Sequence, residues 1–312
     1  MSTETGQNQL DDDQVAAVEI AGGAVRGRIV RLGAALDTAL CGDRYPEPVA
    51  RLLGEAIIIA ALVGRSLKFK GKLVVQTMGT NAGAVSMLVA ECTTDGDLRA
   101  YARFDAARLK EIMLDSRNPG ADVLIQGDGS EGGGTFAMSI DQGPDMERYQ
   151  GLAAIEGPSL AACAEHYFEQ SEQIPTRLGL AVGLLQVPGK APQWRGGGLM
   201  VQRIAGDSAR KSTDDEWDNA KAVMSTLSAA EILDPDLSSE NLLYRLFHEM
   251  GVGRAAPQTL AAKCSCSRDR LLATLKTFDK AAQDEMMEDG KISANCEFCA
   301  KDYIFTPDDL NV

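Results

Sequence analysis

Four of the seven cysteines lie near the C-terminus in two close pairs, Cys264-x-Cys266 and Cys296-x-x-Cys299. A tetrahedral zinc ion takes four soft donors at about 2.3 Å, and two close pairs from separate parts of a chain can supply them with little backbone strain. The first pair has one spacer residue where a zinc knuckle usually has two, which suggests a site that does more than hold a fold together. The same four sulfurs could also leave a metal and form two disulfides.

The other cysteines, Cys41, Cys92 and Cys163, lie among Ala, Leu and Val and are predicted to be small buried hydrophobes. The N-terminus is polar and acidic, without the positively charged start and apolar run of a secretory signal. The expected compartment is therefore a reducing cytoplasm. A zinc-thiolate cluster is expected there, and a permanent disulfide framework is not.

The composition limits the possible partners. A length of 312 residues predicts about two domains, and 45% hydrophobic residues suffice for a sizeable core. The formal net charge of −14 argues against nucleic acid and anionic lipid as partners, because such a surface repels phosphate groups. The longest apolar run, Ala56–Val63, is too short to span a bilayer and predicts a buried helix.

The order of elements predicts an α+β protein with a sheet domain, a helical linker and a small zinc-binding domain. We assign an acidic tail to residues 1–14, an N-terminal α/β core domain to 15–205, a helical linker to 206–258 and a C-terminal zinc-binding domain to 259–312, which becomes a redox-switch domain if the family resemblance described below holds. Val, Leu and Ile-rich runs predict strands at Lys72–Met78, Ala84–Glu91, Asp122–Gln126 and Thr135–Asp141. A helix is predicted at Ser159–Gln173, followed by a hairpin of Thr176–Val187 and Gly198–Ile204.

A glycine-rich stretch, Gly127-x-Gly129-x-x-Gly132, matches the form of a dinucleotide-binding fingerprint. That fingerprint needs a helix after its last glycine to direct a positive dipole end at the pyrophosphate, whereas a strand-like run follows here. The stretch is interpreted as a hairpin loop.

The linker carries an apolar stripe on one helix, capped by Ser238 or Ser239. The stripe consists of Leu242, Leu243, Leu246, Phe247 and Met250. Three interpretations are open: packing against the sheet domain, a permanently exposed binding face, or exposure only under some condition.

The last segment predicts a zinc unit with a thin core. Ser267 can cap a helix, Gly290 can end a second one, and Lys291–Ala294 and Asp302–Phe305 flank the second cysteine pair as strands. A bound zinc would supply much of the folding free energy of such a unit, about 10–16 kcal/mol in zinc peptides. Zinc holds its cysteines as thiolates, and a thiolate is also the species that oxidants attack, so a redox switch and a purely structural site are both possible.

Several segments resemble the bacterial 33-kDa heat-shock protein family of redox-regulated holdase chaperones. They are LAAKCSCSRDRLLATLKT, GKISANCEFCAKDYIF, NLLYRLFHE (241–249), ERYQG (147–151) and SLAACAEHYFEQSEQIPTRL (159–178). The resemblance extends from about Val25 to Pro307.

The resemblance implies an ATP-independent chaperone that is zinc-bound and inactive when reduced. On oxidation such a protein forms disulfides, loses zinc, partly unfolds, forms a homodimer and binds unfolding client proteins. Carried over to this chain, the zinc ligands are Cys264, Cys266, Cys296 and Cys299. The implied disulfides join Cys264 with Cys266 and Cys296 with Cys299, and the linker stripe becomes the candidate client-binding surface.

Two other function classes compete with this one. A zinc-ribbon interaction or nucleic-acid-binding protein would need a basic face, but residues 259–312 carry seven basic and ten acidic residues. An enzyme would need an open metal position or an acid–base group. Four cysteines fill a zinc shell, and His166 and His248 each lie inside a predicted helix, so no catalytic residue is assigned.

Overall fold

The α+β class predicted from the sequence is confirmed in a computed structural model that describes residues 12–40, 42–65, 70–127, 133–143, 146, 148–186, 189, 191–205 and 213–310. The chain divides into two units, residues 1–262 and 263–312. The acidic tail up to residue 11, Cys41 and residues 128–132 of the glycine-rich loop lie outside the described residues. The predictions made for them stay predictions.

The first unit contains two six-stranded sheets. In sheet 1 the order is β10-β1-β2-β9-β8, and β11 also pairs with β1. Its strands are β1 (Gln14–Ile20), β2 (Val25–Leu32), β8 (Thr176–Leu185), β9 (Gln193–Arg203), β10 (Val252–Arg254) and β11 (Gln258–Thr259). All of its pairings are antiparallel. The two short strands β10 and β11 follow the linker helices in sequence, so the chain returns to the sheet after them.

Sheet 2 has the order β12-β5-β4-β3-β6-β7. Its strands are β3 (Lys72–Met78), β4 (Val85–Thr93), β5 (Asp97–Phe104), β6 (Thr135–Asp141), β7 (Tyr149–Ala154) and β12 (Ala261–Ala262). The β12 strand runs parallel to β5, and the other pairs are antiparallel. Because β11 and β12 belong to these sheets, the second unit begins at Lys263, four residues after the predicted start of the zinc domain.

A central helix, α2 (Glu47–Gly64), contains the apolar run that predicted a buried helix. Fourteen of its eighteen residues are buried, so it is covered on almost every side. Its side chains share one core with residues of both sheets, including Leu32 of β2 and Leu88 of β4. The helix α1 (Ala34–Ala39) and the helix α5 (Leu160–Ser171) add Leu36 and Leu160 to the same core.

One predicted strand is wrong. Residues 122–126 belong to a short helix, α4 (Ala121–Gln126), which follows the helix α3 (Ala106–Asp115). Leu124 and Ile125 are buried while Val123 is exposed, and Gly127 ends the helix with a φ of 68°. A run of five residues is too short for periodicity to separate a buried helix from a strand, and burial on one helical face decides it here.

The hairpin of β8 and β9 is present, but β9 begins at Gln193, five residues before the predicted start. The hairpin predicted from the sequence has its turn at residues 188–197, which include Gly196 and Gly197. They are strand residues whose missing side chains admit close neighbours: a Cβ on Gly196 would lie 2.8 Å from Leu36 Cδ2, and one on Gly197 would lie 3.0 Å from Ile232 Cγ2. Close packing explains these glycines.

Three linker helices cover one face of sheet 1. They are α6 (Asp214–Met224), α7 (Ala229–Leu233) and α8 (Ser239–Phe247). Ser238 is the N-cap of α8, and its hydroxyl accepts a hydrogen bond from the Asn241 N–H at 3.2 Å. Of the three interpretations of the apolar stripe, the first describes this structure, because the stripe packs against strands β1, β2 and β9.

The second unit contains α9 (Arg268–Leu275), α10 (Lys280–Glu285), β13 (Ile292–Asn295), β14 (Asp302–Phe305) and α11 (Pro307–Leu310). The strands β13 and β14 form an antiparallel pair, as predicted. Its core is small, with Leu275, Ile292, Tyr303 and Phe305 as the buried apolar residues. None of the described helices of either unit is both long and apolar enough to cross a bilayer.

Candidate metal centre

Two short segments of the second unit present the four predicted ligands. Cys264 and Cys266 lie in an extended segment that ends at Ser267, the N-cap of α9. The Ser267 hydroxyl accepts a hydrogen bond from the Arg270 N–H at 3.2 Å, which fixes the start of the helix next to Cys266. Alternate residues of an extended segment point to opposite sides, so Cys264 and Cys266 share one side and Ser265 points away.

Cys296 and Cys299 lie in the tight turn between β13 and β14. Cys296 N–H donates to the Lys301 carbonyl at 3.0 Å, and Ala300 N–H donates to the Cys296 carbonyl at 2.8 Å. Ala300 has a φ of 57°, in the left-handed region that non-glycine residues seldom occupy. The turn reverses the chain within a few residues and brings both thiols of the second pair to one place.

The four sulfurs form one cluster. All lie within 4.8 Å of one another, with Cys264 Sγ 3.7 Å from Cys296 Sγ and Cys266 Sγ 3.4 Å from Cys299 Sγ. A tetrahedron with metal–sulfur bonds of about 2.3 Å has edges of about 3.8 Å. The size of the cluster and its four soft donors therefore fit a tetrahedral metal ion of the zinc type.

The thiols of Cys266 and Cys299 differ in acidity. Burial and hydrogen bonds with the other thiols raise the pKa of the Cys299 thiol to about 12. Burial acts in the same direction at Cys266, but hydrogen bonds from the Tyr303 hydroxyl, whose oxygen lies 3.1 Å from the sulfur, and from the other thiols lower the pKa of Cys266 to about 7. Burial also raises the pKa of the Cys264 thiol, so a cation would be needed to hold Cys264 and Cys299 as thiolates at neutral pH.

The basic residues near the cluster in sequence mostly have other contacts. Arg268 pairs with Asp309 at 2.9 Å and lies over the Phe305 ring at 4.8 Å. Lys301 lies over the Tyr303 ring at 5.1 Å. Their contacts stabilise the small core around the cluster, which links the packing of this unit to the position of its sulfurs.

The family of the chain follows from comparison with known proteins. A family model described as Hsp33 protein matches residues 13–306. The chain belongs to the Hsp33 family. The resemblance stated from the sequence is confirmed, and with it membership of a family whose relatives carry the name chaperonin.

Two curated relatives of the Hsp33 family are each named 33 kDa chaperonin. The protein from Caulobacter vibrioides is 48% identical over 297 residues, covering 95% of both chains. The protein from Pseudomonas aeruginosa is 36% identical over 290 residues, covering 92% of this chain and 89% of the relative. A crystal structure of the 33 kDa chaperonin from Thermotoga maritima aligns with a TM-score of 0.75 at 23% identity, over 96% of this chain and 97% of that one, and shows a shared fold.

The remaining predicted residues lie in the first unit. Cys92 and Cys163 are fully buried there, and burial raises the pKa of both thiols, so they are poor nucleophiles. Within the candidate client-binding stripe, Leu242, Leu243, Leu246 and Phe247 are buried and Met250 is partly buried. The stripe is thus covered by sheet 1 in this state, and its role in client binding stays a prediction.

Sequence reasoning missed the sheet residues that receive the linker. Three glycines of sheet 1, called the glycine surface below, leave room for linker side chains: Gly179, Gly183 and Gly197. A Cβ added at these positions would lie 2.7 Å from Leu227, 2.9 Å from Leu233 and 3.0 Å from Ile232, respectively. The sequence does contain a signal for this surface, because glycines inside otherwise apolar strands often mark positions where a neighbouring group approaches closely.

A second missed residue is Arg31 of β2. It is 2% exposed, and its guanidinium donates to two carbonyls of the linker, Asp234 O at 2.7 Å and Glu231 O at 3.1 Å. These carbonyls lie at the C-terminal end of α7, where helix carbonyls have no partner within the helix and a positive charge is favourable. No pattern in the sequence distinguishes Arg31 from an ordinary surface arginine of a strand.

Proposed function

We propose that this chain is a redox-regulated, ATP-independent holdase chaperone that is zinc-bound and inactive when reduced. After oxidation it forms disulfides, releases zinc, partly unfolds, assembles as a homodimer and binds unfolding proteins to prevent their aggregation. The observation that carries the proposal is the cluster of four cysteine sulfurs within 4.8 Å, in a small unit of an Hsp33-family chain.

Zinc is the metal that the donor set supports best. Four cysteines and no oxygen ligand favour zinc over the hard cations magnesium and calcium, and a filled tetrahedral shell leaves no position for a reacting water. When bound, zinc keeps the four sulfurs as thiolates and stabilises the fold of the second unit. The buried apolar core of that unit is only four residues, so the metal contributes a large part of its stability.

The redox step is proposed to join Cys264 with Cys266 and Cys296 with Cys299, by resemblance to the family. In each pair two thiolates lose one electron each, one S–S bond forms, and one peroxide takes the two electrons and two protons to give two waters. Both disulfides together consume two peroxides and four protons. In the cluster Cys264 Sγ lies 3.7 Å from Cys296 Sγ and Cys266 Sγ lies 3.4 Å from Cys299 Sγ, so the proposed pairing requires each sulfur to bond to the other cysteine of its own segment and not to these neighbours.

Oxidised sulfurs no longer bind the metal, and the second unit then loses its main source of stability. Lys263 alone separates Cys264 from β12. Before β12 the chain passes from the linker helices through β10 and β11. Unfolding beyond Lys263 removes the restraint on these short strands, and the linker can leave sheet 1. Both the linker stripe and the apolar face of sheet 1 that it covers then become available to unfolded chains.

The other expectations belong to the same proposal. Cytoplasmic location follows from the need for a reducing compartment that keeps the four cysteines reduced until stress occurs. Unfolding client proteins are the partners, and neither nucleic acid nor membrane is. No reaction is assigned, because a holdase acts by covering exposed apolar surface.

The test measures suppression of aggregation of a thermally unfolding enzyme before and after peroxide, with zinc release followed in the same sample. The reduced, zinc-loaded protein should be inactive, and activity should rise together with released zinc. A Cys92→Ala/Cys163→Ala double variant is the matched control and should behave as the wild type. Equal activity before and after peroxide, or activation with zinc retained, would contradict the proposal.

A further inference from the structure

One cavity of the first unit lies outside both the metal centre and the apolar stripe of the linker. It is open, has a volume of about 740 Å³, and lies on the side of sheet 1 opposite the linker helices. The pairing register places Ala17 opposite Arg28, and Glu19 opposite Arg26. Directly opposed residues of antiparallel strands point to the same face, so these four side chains share the cavity side, while Val18, Ile20, Val25 and Ile29 face the linker.

The charge of this cavity is opposite to that of the chain. Among the described residues, the charged side chains that the register places on this face of the cavity are Arg26, Arg28 and a single carboxylate, Glu19, although the whole chain has a formal net charge of −14. Among the described residues no ion pair joins Arg26 or Arg28 to a carboxylate, even though Glu19 is the cross-strand partner of Arg26. Within the part of the chain that the structure describes, the charges of Arg26 and Arg28 are therefore not neutralised by an ion pair.

Arg28 is the most constrained of these groups. It is half-buried, and burial together with the nearby charge of Arg65 lowers the pKa of its guanidinium. Arg65 in turn donates to the neutral side chain of Gln258 at 2.9 Å, which offers no compensating charge. Two neighbouring guanidinium groups, of which Arg28 is half-buried, favour a bound anion, because charge-assisted hydrogen bonds to an oxyanion would offset the desolvation of Arg28 and the repulsion between the charges.

The backbone around the cavity leaves room for a ligand. Gly22, Gly251 and Gly253 line it, and a Cβ added at any of them would meet no atom within 4 Å. Arg26, Glu19 and Gly253 lie opposite one another on the neighbouring strands β2, β1 and β10, and at Gly253 only backbone faces the cavity. Glycine within a strand commonly marks close approach of a ligand, and the cavity volume lies in the range of small-molecule sites.

We propose that this cavity binds a small polyvalent oxyanion, a phosphate or carboxylate ligand with at least two negative charges, between Arg26 and Arg28. Arginine suits this role because its planar fork matches the oxygens of phosphate and carboxylate groups in two parallel hydrogen bonds.

The test is calorimetric titration of the reduced, zinc-loaded full chain with inorganic tripolyphosphate and, separately, with citrate at constant ionic strength. Saturable binding of one ligand per chain is expected for at least one of the two. Binding of tripolyphosphate alone assigns a phosphate site, and binding of citrate alone a carboxylate site.

Two variants place the ligand in the cavity. Ala17→Glu puts a carboxylate opposite Arg28 without removing an arginine and should weaken binding by at least about tenfold, as should Arg28→Gln. Ala17→Gln has the same size without the charge and should bind as the wild type. Arg177→Gln changes the net charge by the same amount elsewhere on the surface and should also bind normally. Absence of saturable binding of both ligands to the wild type, or an equal loss in Arg177→Gln, would overturn the proposal.

Discussion

Removal of the Arg31 guanidinium should release the linker without any oxidant. In the structure this buried side chain donates to the Asp234 carbonyl at 2.7 Å and to the Glu231 carbonyl at 3.1 Å. The Glu231 carboxylate also pairs with Arg245 of α8 at 2.6 Å, so the position of α7 on the sheet helps to fix α8 and its apolar stripe. An Arg31→Met substitution keeps an unbranched apolar side chain at this site and removes both hydrogen bonds.

The size of the effect follows from the two bonds that are lost. A hydrogen bond to a charged group contributes about 1.5–3 kcal/mol when its partner is protein, and the lower value applies because methionine keeps part of the packing. Two such bonds give about 3 kcal/mol. Since 1.4 kcal/mol is a factor of ten, the fraction of molecules with an undocked linker should rise by about 150-fold.

Two measurements on the reduced, zinc-loaded protein check this prediction. Hydrogen exchange of the amides in α7 and α8 should accelerate, while the buried helix α2 stays protected. Aggregation of a thermally unfolding enzyme should be partly suppressed without peroxide. Arg195→Met is the matched control, because Arg195 is 4% exposed in the neighbouring strand β9 and pairs with Asp12 instead of the linker.

Two results would refute the reasoning. If Arg31→Met and Arg195→Met give the same exchange pattern and the same activity, the effect is general destabilisation of sheet 1. If exchange in α7 and α8 accelerates in Arg31→Met but the reduced protein stays inactive, undocking of the linker is not sufficient for client binding.

Three further predictions concern the second unit and Glu55, a partly buried acid of α2. Chelation of the metal should abolish exchange protection in residues 263–312 and leave α2 protected, and a global loss of protection would contradict the division into two units. During a peroxide time course, mass spectrometry should find that the Cys264–Cys266 disulfide, which closes the smaller and more strained ring, does not form first in folded, zinc-retaining protein. Glu55 accepts a hydrogen bond from Leu160 N–H at 2.7 Å, and burial raises the pKa of its carboxyl group to about 7 from 4.5. The folded state therefore prefers the neutral acid, and the free energy of unfolding should fall as pH rises from 4.5 to 7. Chemical denaturation should show that Glu55→Gln removes this loss, on the order of 3 kcal/mol, and an unchanged pH profile in the variant would exclude Glu55 as its source.

The candidate metal site could be predicted from the sequence because the features that define it involve residues close together in the chain. Each cysteine pair lies within four residues, and the cap at Ser267 and the strands on either side of Cys296 and Cys299 are short-range features. Spacing within each pair indicates that two thiols can point to one side, and only four soft ligands complete a tetrahedral shell. The burial of the central helix α2 could also be predicted from the sequence, because a long apolar run is stable in water only when it is buried.

The sequence by itself thus determined the α+β class, the four cysteines that are the candidate metal ligands and the amphipathic stripe of the linker, all of which depend on neighbouring residues. Tertiary structure alone decided what covers the linker stripe, that residues 122–126 form a helix, and that Arg31 meets the end of α7 across a separation of 203 residues in the chain. An apolar face must be buried, but its pattern does not specify which of several apolar surfaces buries it. That choice depends on complementary shape, such as the glycine surface of sheet 1, and on long-range hydrogen bonds that exist only after the strands have paired.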